Sequence, residues 1–214
     1  MSQESDKASA RRSAALGFAV VLVAAGLSNR MGARNKLLIE IGGESLVRRT
    51  ARAYLEAGGD VHVVVGYEAD AVRAALAGLP VGFTENPRFA DGQATSVRAG
   101  LESLPEGYRA LIVALADQAA LTSGDIRDLV KAFAESDRRR ILIPYYRGER
   151  GNPVVFPPEI IAKIRAGGPD LTARKFIDSN PQLTRCYEAA NDHFVIDIDT
   201  PEDLERFRAK MLGT

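Results

Sequence analysis

The run Val23-Ala24-Ala25-Gly26-Leu27-Ser28-Asn29-Arg30-Met31-Gly32-Ala33-Arg34-Asn35-Lys36 decides how this chain is read. It follows the apolar stretch 18–22, which reads as a buried strand, and leads through Leu37-Leu38-Ile39 toward a helical segment. Small residues come first, at Ala24, Ala25 and Gly26, so a ligand can approach the backbone. Ser28, Arg30 and Lys36 then add a hydroxyl and two fixed cations. Exposed backbone N–H groups and positive charge on one loop are what a triphosphate requires. Spacing excludes two familiar phosphate loops. Gly26 and Gly32 are separated by five residues and Lys36 arrives four later, which is not a P-loop, and no Gly-x-Gly-x-x-Gly is present.

Outward from this loop the chain alternates strands and helices. Strands are predicted over 18–24, 61–65, 81–85 and 110–116, several of them apolar on both faces as in a covered parallel sheet. Amphipathic segments at 45–57, 70–76 and 95–103 lie between them, and Thr122 with Asp125 opens another helix through a capping box. This rhythm predicts an α/β fold with a doubly wound, mostly parallel open sheet, Rossmann-like, with ligands at the carboxyl ends of its strands. The second half changes character. Strands at 141–145, 154–156, 183–187 and 194–198, with short helices at 159–165 and 171–178, predict a mixed C-terminal portion. Thr200-Pro201-Glu202-Asp203 starts the last helix, with Thr200 as cap and proline at the first helical position.

Composition narrows the class. With 214 residues, 46% hydrophobic and 26% charged, the chain fits one soluble domain, expected over 17–214 behind a disordered polar tail at 1–16. The 28 acidic and 28 basic residues cancel, so no basic excess points to nucleic acid. The tail lacks the apolar centre of a secretory signal and no run is long enough to span a membrane. A single cysteine, Cys186, fits a reducing compartment, and a cytoplasmic location is expected. Cys186 lies in an alternating strand-like run and reads as a buried structural thiol. His62 reads as a strand residue with a satisfied ring, His193 as a solvated turn residue, and Arg138-Arg139-Arg140 as a solvated helix end.

The first loop resembles the nucleotidyltransferase signature Leu-x-Gly-Gly/Ala-Gly-x-Ser-x-Arg-Met-Gly…Lys, through Ala24-Ala25-Gly26, Ser28, Arg30-Met31-Gly32 and Lys36. Within that superfamily the chain is most similar to the molybdenum cofactor cytidylyltransferases, over residues 18–207. Further segments carry the likeness: Asn86-Pro87 through Gly92, Thr95 and Ser96; Asp117-Gln118 after an apolar strand; Gly151-Asn152-Pro153-Val154; and Asp197-Ile198-Asp199-Thr200-Pro201-Glu202-Asp203.

The resemblance implies a Mg²⁺-dependent transfer of CMP from CTP, or another NTP, to the phosphate of molybdopterin or another phosphorylated acceptor. Arg30, Lys36 and Asp117 would be catalytic. Ala24, Ala25, Gly26, Ser28, Arg30, Met31, Gly32, Lys36, Asn86, Gly92, Thr95 and Ser96 would bind nucleotide. Asp117 would hold the metal with Asp197 or Asp199; Asp197 aligns better with the metal aspartate of related enzymes, and Asp199 would otherwise cap the last helix or brace its loop. Asn152 and Arg174 would face the acceptor. A molybdenum hydroxylase or its maturation chaperone would stand downstream. The Ala25-Gly26 pair, where guanine users read Gly-Gly, implies CTP. Two departures, Ala119 for proline and Asn152 for histidine, keep two other readings open. One is transfer to a sugar phosphate or phosphoalcohol. The other is a catalytically weak nucleotide-binding protein of the same fold.

Overall fold

A computed structural model describes residues 17–27 and 35–212. The tail expected over 1–16 and the loop residues Ser28, Arg30, Met31 and Gly32 lie outside the described residues.

The central strand β1 (Phe18–Ala24) is buried along its whole length. Its side chains divide by strict alternation. Phe18, Val20, Leu22 and Ala24 enter one apolar cluster, and Ala19, Val21 and Val23 enter another on the opposite face. A strand covered on both faces belongs in the middle of a parallel sheet. It pairs in parallel with β4 (Asp60–Val65) on one side and β6 (Ala110–Leu115) on the other, and β5 (Gly82–Glu85) continues beyond β4. Past β6 lies β9 (Val154–Phe156), which is antiparallel to β6 and to β7 (Ile141–Tyr146). The edge strand β10 (Thr184–Glu188) runs parallel to β7, and the two-residue β8 (Glu149–Arg150) pairs antiparallel with it. The order is β10-β7-β9-β6-β1-β4-β5. A separate hairpin joins β2 (Glu40–Ile41) to β3 (Glu44–Ser45).

Helices cover both faces. Val47 and Tyr54 of α1 (Leu46–Glu56), Val72 of α2 (Ala69–Ala75) and Ile126, Leu129 and Phe133 of α4 (Ser123–Glu135) fill the first cluster. Val97 and Leu101 of α3 (Gln93–Ser103), Ile160 and Ile164 of α5 (Pro158–Ala166) and Phe176 of α6 (Ala173–Ser179) fill the second. A Cβ at Gly100 would stand 2.3 Å from a methyl of Val21, so α3 lies close on β1 because that position is bare. A third, smaller cluster docks α7 (Pro201–Leu212) through Leu204 and Phe207 against Ile41, Leu46, Ala119 and Ile198. No helix among the described residues is long and apolar enough to cross a membrane.

The chain leaves β1 toward β4 and β5 on one side and returns to β6 on the other. The connections therefore diverge at the carboxyl ends of β1 and β6, and a crevice opens there.

Several expectations need correction. Residues 194–198 do not form a strand; a 3-10 turn at Asp192–Phe194 is followed by an unpaired stretch. By that point β6 and β7 already have neighbours on both sides, so the sheet has no vacant edge beside them. The segment instead crosses their ends, held by single hydrogen bonds from Asn152 N to Phe194 O and from Ile198 N to Asp117 O. The C-terminal portion is mixed as expected, but only β8 and β9 run antiparallel in the main sheet. Cys186 is exposed rather than buried, because β10 is the sheet's uncovered edge.

His193 is not a free solvated residue. Its Nδ1 lies 2.9 Å from Asp125 Oδ2. Asp125 also closes the α4 capping box with Thr122 and accepts from Asn191 Nδ2 at 2.8 Å, so it ties the helix start to the 191–193 turn. Burial alone would raise its pKa, but hydrogen bonds from Thr122, Asn191 and His193 outweigh that and hold it below the ordinary aspartate range. Asp125→Ala should cost about 2 kcal/mol, the upper end for a helix cap, because two loop donors lose their partner as well. The ionised carboxylate's contribution is present above the unfolded-state pKa and is lost as pH falls through the depressed native value. Urea unfolding should therefore show the gap between wild type and Asp125→Asn narrowing below roughly pH 4. A gap that is unchanged in acid would mean that the carboxylate's charge does not matter.

Candidate active site

The crevice is a cavity of about 570 Å³. The turn after β1 supplies Ala25, Gly26 and Leu27 on one side, and the end of β6 supplies Leu115 and Asp117 on the other. Phe89, Gly92, Gln93 and Ser96, from the approach to α3 and its first turn, form a third wall. Local backbone demands put them there. Gly92, at φ +109°, precedes α3 in a conformation that favours glycine. At Gly66, after β4, a Cβ would stand 2.6 Å from Phe89 and 2.9 Å from Ala25, so the missing side chain lets these two walls approach.

Charge is concentrated at one end. Asn35 caps the short 3-10 turn Lys36–Leu38 by accepting from Leu37 N at 3.1 Å. Lys36 on that turn donates to Asp117 Oδ2 and to Asp199 Oδ1, both at 2.6 Å. Burial alone would lower the lysine's pKa, but Asp117 and Asp199 more than offset it and hold it above the ordinary lysine value. Asp197 completes this end of the cavity. Burial first, and then the negative charge of Asp117, push its carboxyl up to about 6. Three carboxylates thus face one ammonium.

Two buried oxygens in this group, Asp117 Oδ1 and Asp197 Oδ1, have no hydrogen-bond partner among the described residues. An unsatisfied buried carboxylate oxygen is costly, and a cation satisfies it. No set of three or more His, Cys, Asp or Glu side chains is disposed to hold a metal among the described residues. Asp117 and Asp197 would make a two-carboxylate site, which would suit Mg²⁺, an ion that keeps several waters and takes its remaining ligands from phosphates. The residues present therefore fit the ion the sequence implies.

The other expected site residues divide. Ala25, Gly26, Lys36, Gly92, Ser96, Asp117 and Asp197 line the cavity together. Ala24 ends β1 in the first core cluster. Asn86 and Thr95 lie outside the lining. The buried Asn86 amide donates to the hydroxyls of Thr95 and Ser96, both at 2.9 Å, and accepts from Arg88 N, so it knits the 86–96 turn. Asp199 does not cap α7. Thr200 and Asp203 do that between them, while Asp199 holds Lys36. The only sequence signal for this role was its spacing of two from Asp197.

A second cavity, of about 440 Å³, adjoins the first across Gln93 and Leu115. Asn152 and Arg174 line it, as does Arg150, which sequence reasoning passed over. Gly151 makes this wall possible, since a Cβ there would stand 2.3 Å from Phe194 O.

An open, mostly parallel sheet with a two-carboxylate and lysine site at its switch point defines a Rossmann-like nucleotidyltransferase fold. The chain belongs to the MobA-like NTP transferase domain family, whose sequence model matches residues 19–185. It is 28% identical to a bifunctional IPC transferase and DIPP synthase of Rubrobacter xylanophilus over 92% of this chain, and spans 52% of that protein. It is 28% identical to nicotine blue oxidoreductase of Paenarthrobacter nicotinovorans, covering 87% of this chain and 94% of that one. To a probable molybdenum cofactor guanylyltransferase of Natronomonas pharaonis it is 29% identical, over 89% and 96%. A solved nucleotidyl transferase from Methanothermobacter shares the fold, with a TM-score of 0.78, 22% identity and coverage of 92% and 98%. These relatives are named for different reactions, so family membership does not fix the acceptor.

Asp117→Asn should abolish Mn²⁺ and Mg²⁺ binding in calorimetric titrations. It removes one of three crowded negative charges and keeps an acceptor for Lys36, so the metal-free Tm should move by less than about 3 °C, or roughly 1 kcal/mol. Normal metal affinity in this variant would remove Asp117 from the site.

Proposed function

We propose that this chain transfers the cytidylyl group of CTP to the phosphate of a molybdopterin-type acceptor and releases pyrophosphate. The observation that carries this reading is the charge arrangement: Lys36 between Asp117 and Asp199, with Asp117 and Asp197, each carrying a buried oxygen without a hydrogen-bond partner among the described residues, lining the same cavity. A site with surplus carboxylates repels a bare polyphosphate. It accepts one together with a divalent cation.

In the proposed reaction an oxygen of the acceptor phosphate attacks the α-phosphorus in line. The new P–O bond forms as the bond to the bridging oxygen breaks, and the electron pair departs with pyrophosphate. The attacking oxygen is already anionic, so no general base is required. Mg²⁺ held by Asp117 and Asp197 would supply charge neutralisation at the phosphate oxygens. The Lys36 ammonium has three N–H donors, so it can keep one aspartate and turn another donor to the α-phosphate. Backbone around Gly26 would approach the phosphates, and Arg30, with Ser28, Met31 and Gly32, would meet the departing pair. Ala25 would narrow the slot beside the base and favour cytosine. A methyl of this kind is worth about 1–3 kcal/mol of discrimination.

Purified protein would be given CTP, Mg²⁺ and, in parallel, molybdopterin, sugar phosphates and alcohol phosphates. Pyrophosphate should appear fastest with molybdopterin. Faster release with a sugar or alcohol phosphate would reassign the acceptor, and no release with any of them would favour a nucleotide-binding role. Lys36→Ala should lower kcat by about 3 kcal/mol, or roughly a hundredfold. Its metal-free stability should also fall, because Asp117, Asp197 and Asp199 lose the cation among them. An effect confined to KM for CTP would make the lysine a ground-state binder. Ala25→Gly should shift the CTP-to-GTP ratio of kcat/KM toward GTP. An unchanged ratio would place base selection elsewhere in the cavity.

A further inference from the structure

The second cavity differs in charge from the first. The first is lined by three aspartates and one lysine, whereas the second is lined by two arginines and no carboxylate. Arg150 ends β8 and Arg174 lies in the first turn of α6, so different elements bring them together. Both reach toward Asp178, with Arg174 Nε at 2.9 Å and Arg150 Nη1 at 3.8 Å. Arg150 is only 25% exposed; burial, and then the neighbouring charge of Arg174, lower its pKa below the ordinary arginine value. One carboxylate between two guanidiniums leaves a net positive charge, and Asp178, at 53% exposed, is weakly held. The rest of the lining is largely aliphatic and aromatic, through Val97, Val113, Leu115, Val154, Phe156 and Ile177, with Gln93, Asn152 and Thr172 as its polar members. A ring of hydroxyl groups would lose water against most of that surface, with few polar groups to replace it.

The geometry points to Arg150 and Arg174 as a two-guanidinium clamp that favours acceptors combining a largely apolar body with an anionic group over polyhydroxylated ones. This rests on the transferase reading only in calling the ligand an acceptor. Arg150 is then a specificity-determining residue, and Asp178 is the carboxylate that an incoming anion displaces from the two guanidiniums. Arginine suits this role because its planar fork can grip an oxyanion through two N–H groups.

The test is equilibrium binding to the full chain without CTP, using 1-naphthyl phosphate, 1-naphthol and glucose 1-phosphate as probes. Naphthyl phosphate should bind about tenfold or more tighter than either of the others, since only it uses both wall and clamp. Arg150→Met and Arg174→Met should each weaken it about tenfold, the cost of a lost charge-assisted contact. Asp178→Asn should tighten it, because the competing carboxylate is gone; a merely structural Asp178 would give loss instead. Mg²⁺–CTP binding serves as the folding control. Should Arg150→Met fail that control, the exposed Arg174 and Asp178 variants still decide. Glucose 1-phosphate binding as tightly as naphthyl phosphate, or naphthyl phosphate affinity unmoved in Arg174→Met, would overturn the clamp. If the binding order holds while no acceptor yields pyrophosphate, the clamp stands and the transferase reading falls.

Discussion

Three carboxylates can share a partly dehydrated cleft only with positive charge among them. Here that charge is the Lys36 ammonium, 2.6 Å from both Asp117 and Asp199. The three partners come from three parts of the chain: the turn after the first loop, the end of β6 and the approach to α7. Their meeting fixes how those parts sit. Asp117 also receives Ile198 N on its carbonyl, and Ile198 packs with Leu204 and Phe207. The last helix is thus docked beside the charge cluster by an apolar contact as well.

The sheet supplies the rigidity this requires. β1 is buried on both faces, and the glycines at 66 and 100 let neighbouring elements close on it without a side chain between. Walls built on strand ends and a helix start move less than walls built on loops. The capping box at Thr122 and Asp125 extends that rigidity to the 191–193 turn, just before Asp197.

Much of this was legible in the sequence where the information is local. Seven apolar residues in a row at 18–24 announce a covered strand, and a small-residue loop after it announces a ligand. Asp117 could be placed because an apolar run ends there. The stretch 194–198 misled because its alternating apolar pattern suits a strand, while the sheet offered it no free edge. That depends on the order of strands far away in sequence. Cys186 misled for the reciprocal reason, since nothing local says that β10 is the last strand. Asn86 and Thr95 have side chains suited to a base, yet they spend their hydrogen bonds on each other and on the turn between them. Arg150 was invisible because its significance depends on Arg174 and Asp178, which lie on another element.

The reversed direction of β9 has an effect on how this architecture can diversify. In a parallel sheet, residues following a strand serve the site. Because β9 runs the other way, the residues preceding it, 147–153, arrive at the same end as the loops after β1 and β6. This hairpin contributes Arg150 and Asn152 to the second cavity, and its Asn152 N–H donates to Phe194 O. Exchange is constrained at the β8 pairing with β7 and at Gly151, whose missing side chain admits Phe194 O, and is freest at the 147–148 tip. Apart from the shared Gln93 and Leu115, the first cavity and the second therefore draw on different connections of the sheet. One scaffold can keep the first constant while the second is rewritten.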